Sequence, residues 1–213
     1  MNEKTFYDED YFENGLVSKK SCYENYRWMP ELTIPMADKI ARYLNLTYDQ
    51  NILDFGCSKG YLVKAFRLLN FQSYGVDISN YAINRIEPDI VSYCKLINDD
   101  NIVPFDLHFD YVMSKDVLEH MTIENLKALL SQYKENCKKM FHVIPLGEEG
   151  KFRIDEYHLD KSHIQIHSEN WWINFFDDNG WEVEDFLYQV KGIKDKWIKS
   201  HEKGNGFFTL KKK

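Results

Sequence analysis

An acid and two glycines stand close together in Asp54-Phe55-Gly56-Cys57-Ser58-Lys59-Gly60, and a further acid, Asp77, follows about 20 residues beyond the loop. A short apolar run ending in an acid and then a glycine-bracketed turn lets a ligand approach the backbone closely, and this is expected where a strand feeds a helix. A dinucleotide turn would read G-x-G-x-x-G, with a helix N-terminus aimed at pyrophosphate. Here Ser58 stands where the second glycine would fall. An acid at the mouth of the loop repels a pyrophosphate but suits a ligand carrying an ammonium or sulfonium group.

Histidine is the commonest general base because it titrates near neutrality, and the chain holds seven. His158, in DEYHLDKSH with Tyr157 and Asp160 beside it, is one candidate base. His142 lies inside an apolar run and reads as a hydrogen-bonded core residue. His108 and His201 read as surface residues. The spacing of His158, His163 and His167 with Glu156 and Asp160 invites a metal reading. Metal ligands must converge in space, however, and the stretch lacks an i, i+4 pair on one helix. No metal is expected.

From Asn51 onward, strand-like and helix-like stretches alternate. NILDF and SYGVD flank GYLVKAFRLLN, whose Leu62, Ala65, Phe66 and Leu69 recur at helical spacing, a βαβ unit. YAINRI reads as a short helix, VSYCKLI and FDYVMS as strands, DVLEHMTIENLKALLSQYKENC as one helix, and MFHVIP as a strand stopped by Pro145. SENWWINFFDDNGW reads as a helix with Ser168 as N-cap and Gly180 past its end. WEVEDFLYQV and NGFFTLKK read as two strands, an antiparallel pair closing the sheet. The expectation is an α/β fold: seven strands, mostly parallel, with helices on both faces.

Residues 1–49 carry no strand signal, but IPMADKIARYLNL places Ala37, Ile40, Ala41 and Leu44 on one helical face. Seven aromatics fall within the first 28 residues. Such an arm reads equally as a lid over a site or as a strap packed on the sheet. Residues 50–213 form the main domain. The polar segment 147–167 reads as an insert on the acceptor side, a loop carrying a base rather than core, with Arg153 and Lys161 available to an anionic acceptor.

A formal net charge of −7 argues against nucleic acid as partner. Four scattered cysteines without a C-x-x-C pair read as reduced thiols. The polar start is no signal peptide, and no apolar run has the ~18 residues of a membrane span. A cytoplasmic protein is expected; its oligomeric state stays open, a homodimer included.

ILDFGCSKGYLV resembles the first motif of the class I S-adenosylmethionine-dependent methyltransferases. Three further stretches resemble that family in order: YGVDIS, NDDNIVPFDLHFDYVMSKDVLEH, and DKSHIQIHSENWWINFFDDNGWEV. Together they cover roughly residues 50 to 190, as four weak matches that gain weight from their order. The resemblance implies a Rossmann-like sheet with the last strand antiparallel and S-adenosyl-L-methionine as cofactor, released as S-adenosyl-L-homocysteine. Asp54 and Gly56 would shape the pocket for the methionine part, with the Cys57 backbone beside it, and Gly60 would admit the helix close to the strand. Asp77, followed by Ile78, would take the ribose hydroxyls; Asp99 would meet the adenine amino group and Asp100 would offer its amide to the ring. Lys115 would lie near the methyl donor with Asp116. His120 and His163 would approach the carboxyl end of the sheet and join His158 as candidate bases. Rings from Tyr7, Tyr11 or Tyr26 over the cofactor would stabilise a sulfonium by ~0.5 to 2 kcal/mol, and stacking on a sugar would suit them equally.

The implied activity is methyl transfer to a small polar metabolite or saccharide, on oxygen. Transfer to an amine stays open, as does a non-catalytic S-adenosylmethionine-binding module. An NAD-dependent oxidoreductase would share the βαβ unit, but it would want a G-x-G turn that is missing.

Overall fold

The computed structural model describes residues 3–98 and 101–213. In chain order, three one-turn helices α1 (Glu3–Phe6), α2 (Glu9–Phe12) and α3 (Gly15–Ser18) form the arm, and α4 (Pro30–Tyr43) follows. The alternating part runs β1 (Asn51–Phe55), α5 (Tyr61–Leu68), β2 (Gln72–Asp77), α6 (Asn80–Ile83), β3 (Cys94–Leu96), β4 (Phe109–Lys115), α7 (Ile123–Lys134) and β5 (Cys137–Pro145). A hairpin of β6 (Gly147–Glu148) and β7 (Lys151–Phe152) leads to α8 (Glu169–Asp178), β8 (Trp181–Leu187), α9 (Asp195–Ile198) and β9 (Asn205–Lys212).

Seven strands form one sheet in the order β3-β2-β1-β4-β5-β9-β8. β1 to β5 pair in parallel, while β9 runs antiparallel to both β5 and β8 between them. Side chains alternate between two cores, as the period of two in a strand demands. Leu53, Val112, Met140, Ile144 and Phe208 face α7 and α8, against Leu126, Leu130, Tyr133, Trp172 and Phe176. Ile52, Met113, Phe141, Val143 and Phe207 face the other way, against Ala37, Ile40 and Ala41 of α4 and Leu62, Ala65 and Phe66 of α5. Fully burying each large apolar side chain contributes roughly 1.5 to 3 kcal/mol, so both helical layers are tied to the sheet.

The seven strands, the antiparallel last strand, and the caps at Ser168 and Gly180 follow the sequence expectation. Several element boundaries differ. α4 begins four residues before the expected Ile34, with Pro30 in its first turn, where the missing amide costs nothing. The stretch Val91–Tyr93 is a 3-10 turn, leaving β3 three residues long. DVLEHMTIENLKALLSQYKENC is not one helix. Asp116 takes a left-handed φ of 57°, Leu118–His120 form a 3-10 turn, and α7 starts only after Thr122, whose hydroxyl accepts from the Asn125 amide at 3.2 Å. The insert is not wholly polar surface either, since Phe152, Ile154 and Tyr157 make a small buried cluster beneath it.

Candidate active site

β1 lies between β2 and β4, so the chain leaves the sheet in opposite directions on its two sides and a crevice opens at the strands' carboxyl ends. A cavity of about 780 Å³ fills that crevice. It falls within the range of small-molecule and cofactor sites.

One wall comes from the loop after β1. Gly56, Ser58 and Gly60 all have positive φ, at 82°, 52° and 75°. A side chain at Gly56 would strike Val117 at 2.4 Å, and one at Gly60 would strike Ile90 at 2.8 Å. Gly56 therefore lines the cavity, whereas Gly60 serves the packing of α5 behind it. Asp77, ending β2, accepts the Ser58 amide at 2.6 Å on one oxygen and the Ser79 amide at 2.7 Å on the other. Each carboxylate oxygen keeps a second lone pair for a ligand hydroxyl. Asp54 is 4% exposed, and burial pushes its carboxyl up to about 7 despite Lys115 nearby.

The arm supplies a second wall. Tyr7, Tyr11, Phe12, Tyr23 and Tyr26 line the cavity, and Tyr11 and Phe12 pack with Tyr81 and Ala82 of α6. Lys59, in the β1 loop, fixes the arm through the Glu13 carboxylate and, at 2.7 Å, the Tyr26 carbonyl. The Tyr11 hydroxyl donates to Asp160 of the insert at 2.7 Å. The arm therefore packs on α6 and brings its rings to the cavity.

The third wall follows β4. Asp116 binds Lys115 at 2.5 Å on one oxygen and Lys194 on the other. Burial alone would raise the Asp116 carboxyl, but the two ammonium groups hold it well below the carboxylate range. The 3-10 turn then presents Glu119 and His120. The Ile164 and Gln165 amides both donate to the Glu119 carbonyl at 2.9 Å, which docks the segment after the hairpin and brings His163 to His120, ring centroids 4.5 Å apart. Burial, and the neighbouring His163, push His120 down to about 4; burial also lowers His163, so both imidazoles are neutral at pH 7. The Glu119 carboxyl is fully buried, and burial with Asp116 nearby holds it well above its usual range.

Asp54, Gly56, Cys57, Asp77, Ile78, Lys115, His120, Tyr11 and Tyr26 line one cavity. His163 stands behind His120. Asp99 and Asp100 lie outside the described residues, and their neighbours Ile97, Asn98 and Ile102 line the cavity. His158 does not join the group. It is exposed beside the hairpin, where its Nε2 accepts the Phe152 amide at 3.1 Å. Arg153 is held by Glu148 and Glu169 and does not reach the cavity, so it is not an acceptor clamp. His142 is the core residue expected, bonded to Ser114 at 2.8 Å, its pKa pushed down to about 3 by burial. Sequence reading missed Lys194, 4% exposed in its side chain, and Lys59, because a lysine in a polar loop carries no mark of burial. Glu119 likewise carries no mark of burial in the stretch that ends in DVLEH.

A sheet of this order with a ligand crevice beside β1 and acids ending β1 and β2 defines the fold of S-adenosylmethionine-dependent methyltransferases. The chain belongs to the methyltransferase-domain family, whose sequence model matches residues 28–185. It is a methyltransferase, and its cofactor is S-adenosylmethionine. Solved structures share the fold at low identity. One is a chain of the complex between the Haloferax volcanii Trm112 methyltransferase activator and a methyltransferase (TM-score 0.66, 14% identity, 86% of this chain and 92% of that one). Another is an S-adenosylmethionine-dependent methyltransferase from Clostridium acetobutylicum (0.62, 12%, 84% and 91%). A third is magnesium protoporphyrin IX methyltransferase from Synechocystis with bound SAH (0.58, 14%, 84% and 83%). No curated protein sequence matches the chain. Among the described residues, no helix is long and apolar enough to cross a membrane.

Proposed function

We propose that the protein methylates an oxygen of a small polar metabolite or a saccharide. The observation that carries this reading is His120 on the wall of the same cavity that holds Asp54 and Asp77, with His163 and Glu119 clustered behind it. S-adenosylmethionine supplies an electrophilic methyl group on a sulfonium. Asp77 would take the ribose hydroxyls on its two remaining lone pairs, and Asp54 would face the cationic methionine end. Both fit that ligand, because each is a buried acid on the cavity wall. Tyr11 and Tyr26 contribute an aromatic roof that excludes water and favours a cation.

The acceptor would enter between the arm, α4 and residues 192–197, which carry Met29, Leu32, Lys194 and Trp197 to the cavity. An acceptor hydroxyl must lose its proton, and the neutral imidazole of His120 faces it from the wall. An amine acceptor, an ammonium ion at neutral pH, would give up its proton to the same group, so the acceptor screen decides between oxygen and nitrogen. The arm at residues 1–49 and the insert at 147–167 act as the acceptor-side cover of the methyltransferase domain. Four free thiols suit a reducing compartment, the cytoplasm.

The test is an acceptor screen of the purified protein with S-adenosylmethionine, read as S-adenosylhomocysteine release. Turnover with hydroxylated metabolites or sugars, reduced in His120→Ala with cofactor binding kept, is expected. Turnover with amines alone would replace the oxygen reading by N-methylation. Cofactor binding without turnover across the panel would favour a non-catalytic module.

A further inference from the structure

We propose that Glu119, His120 and His163 bind a divalent transition-metal ion at the acceptor side of the cavity. One ligand atom from each of the three lies within 4.8 Å of the other two. The hydrogen bonds around them settle which atoms are free. The Ser162 hydroxyl donates to Asp160 Oδ1 at 2.6 Å, and so it accepts from His120 Nδ1 at 2.8 Å. That leaves an unprotonated Nε2 on His120. His163 donates its Nδ1 hydrogen to the Tyr157 carbonyl at 2.7 Å, which leaves an unprotonated Nε2 there as well. Each imidazole thus has its outer nitrogen fixed by an oxygen and its inner lone pair aimed at the cluster, the arrangement that orients histidine ligands around metals.

Glu119 completes the set. Its side chain is fully buried, and neither carboxylate oxygen has a hydrogen-bond partner. The nearest basic atom is His163 Nε2, 3.8 Å away, too far for a hydrogen bond. Whether ionised or protonated, the group is left unmatched, which is costly for a buried carboxyl. Two nitrogen lone pairs and a carboxyl group converge, and neither carboxyl oxygen is hydrogen-bonded to either nitrogen. A bare cation supplies what all three lack.

Two imidazoles and one carboxylate are the donor set of a transition metal rather than of magnesium or calcium. Ligands about 2.0 to 2.2 Å from a tetrahedral ion stand roughly 3.4 Å apart, so the cluster would contract by up to about 1.4 Å. Lys115 and Lys194 are nearby cations, but Asp116, Asp160 and Glu119 outnumber them. Three protein ligands leave a coordination position open, and His120 alone of the three lines the cavity, so that position faces the acceptor.

The catalytic use of the ion rests on the oxygen reading above and deepens it. An acceptor hydroxyl on the open position is acidified and its proton passes to water. The oxygen's electron pair then forms the new O–C bond to the methyl group, while the C–S pair stays on sulfur as a thioether. His120 would serve as a ligand rather than as the base.

The test is calorimetric titration of chelator-stripped protein with Zn²⁺, Mn²⁺, Co²⁺ and Mg²⁺ separately, without cofactor or acceptor, together with the visible spectrum of the Co²⁺ form. One ion per chain is expected, with binding weakened about 100-fold or more in Glu119→Gln and in His163→Asn and unchanged in His108→Gln, a surface control. Glu119→Gln keeps the backbone carbonyl that docks residues 164 and 165, and bound S-adenosylhomocysteine in both variants reports that the fold is intact. Absence of saturable binding, binding of Mg²⁺ alone, or binding that survives both substitutions would overturn the site. If the ion binds but S-adenosylhomocysteine does not bind the unaltered protein, the methyl-transfer reading fails and the metal site stands.

Discussion

Asp77 has two duties, and they set what its loss will do. Its oxygens hold the Ser58 and Ser79 amides, and the second lone pair of each would meet the cofactor. Asp77→Ala is expected to weaken S-adenosylhomocysteine binding by about 3 kcal/mol, roughly 100-fold, because hydrogen bonds to a charged group contribute about 1.5 to 3 kcal/mol each. Calorimetry checks the binding, and a melting curve should record a smaller stability loss from the two freed amides. Asp54 behaves differently. Burial raises it to about 7, so near neutrality a good fraction is protonated in the free protein. A cationic ligand favours the ionised form and lowers that pKa. S-adenosylmethionine affinity should therefore rise as pH climbs from 6 to 8 and then level off, with proton release on binding below pH 7. Titration in buffers of different ionisation enthalpy measures the release, and Asp54→Asn should abolish it. Asp54 was legible in the sequence because it ends an apolar run before a glycine-bracketed turn, and Asp77 through the resemblance of YGVDIS to the family's second motif. Lys194 was not, since its burial depends on Asp116, 78 residues away in the chain.

At the scale of elements, the site is assembled by turns rather than by the long helix expected after β4. Asp116 in the left-handed region, a 3-10 turn at Leu118–His120 and the Thr122 cap delay α7, and this frees the Glu119 carbonyl to dock residues 164 and 165. Apolar periodicity ran through DVLEHMTIENL without a break, so the boundary was hidden, although Thr122 with Asn125 was a readable cap. The arm shows the same kind of dependence. No period marks how residues 6–28 bury their rings, because they pack on α6 and the insert rather than along their own axis. The bond from the Tyr11 hydroxyl to Asp160 ties arm to insert and is buried. Tyr11→Phe leaves a buried acceptor short of a donor, which costs about 1 to 3 kcal/mol. The expected outcome is a lower melting temperature and faster proteolysis within residues 1–28, with less protection when S-adenosylhomocysteine is bound. Unchanged proteolysis would show that the latch does not hold the arm.

The whole molecule joins a seven-stranded sheet to a cover built from the arm and the insert. The seven-stranded, mostly parallel sheet was readable because strand-like and helix-like stretches alternate from Asn51 onward, whereas the order of the strands carries no mark in the sequence. The cover was not readable, because its contacts join the start of the chain to the middle. A ligand that binds only the folded form stabilises it by about 2.7 kcal/mol at 100 times its dissociation constant. For a chain of 213 residues, each kcal/mol moves the melting temperature by roughly 2 to 4 °C. S-adenosylhomocysteine at that excess should therefore raise the melting temperature by about 5 to 10 °C, and NAD should not move it. The gain should also be distributed unevenly. Hydrogen exchange should slow most in the loop after β1, in the turn after β2 and across the arm, whose backbones contact the cavity. β8 and β9, far from it along the sheet, should change little. Slowing spread evenly over the sheet would mean that ligand binding stabilises the fold globally and that the arm is not the element it orders.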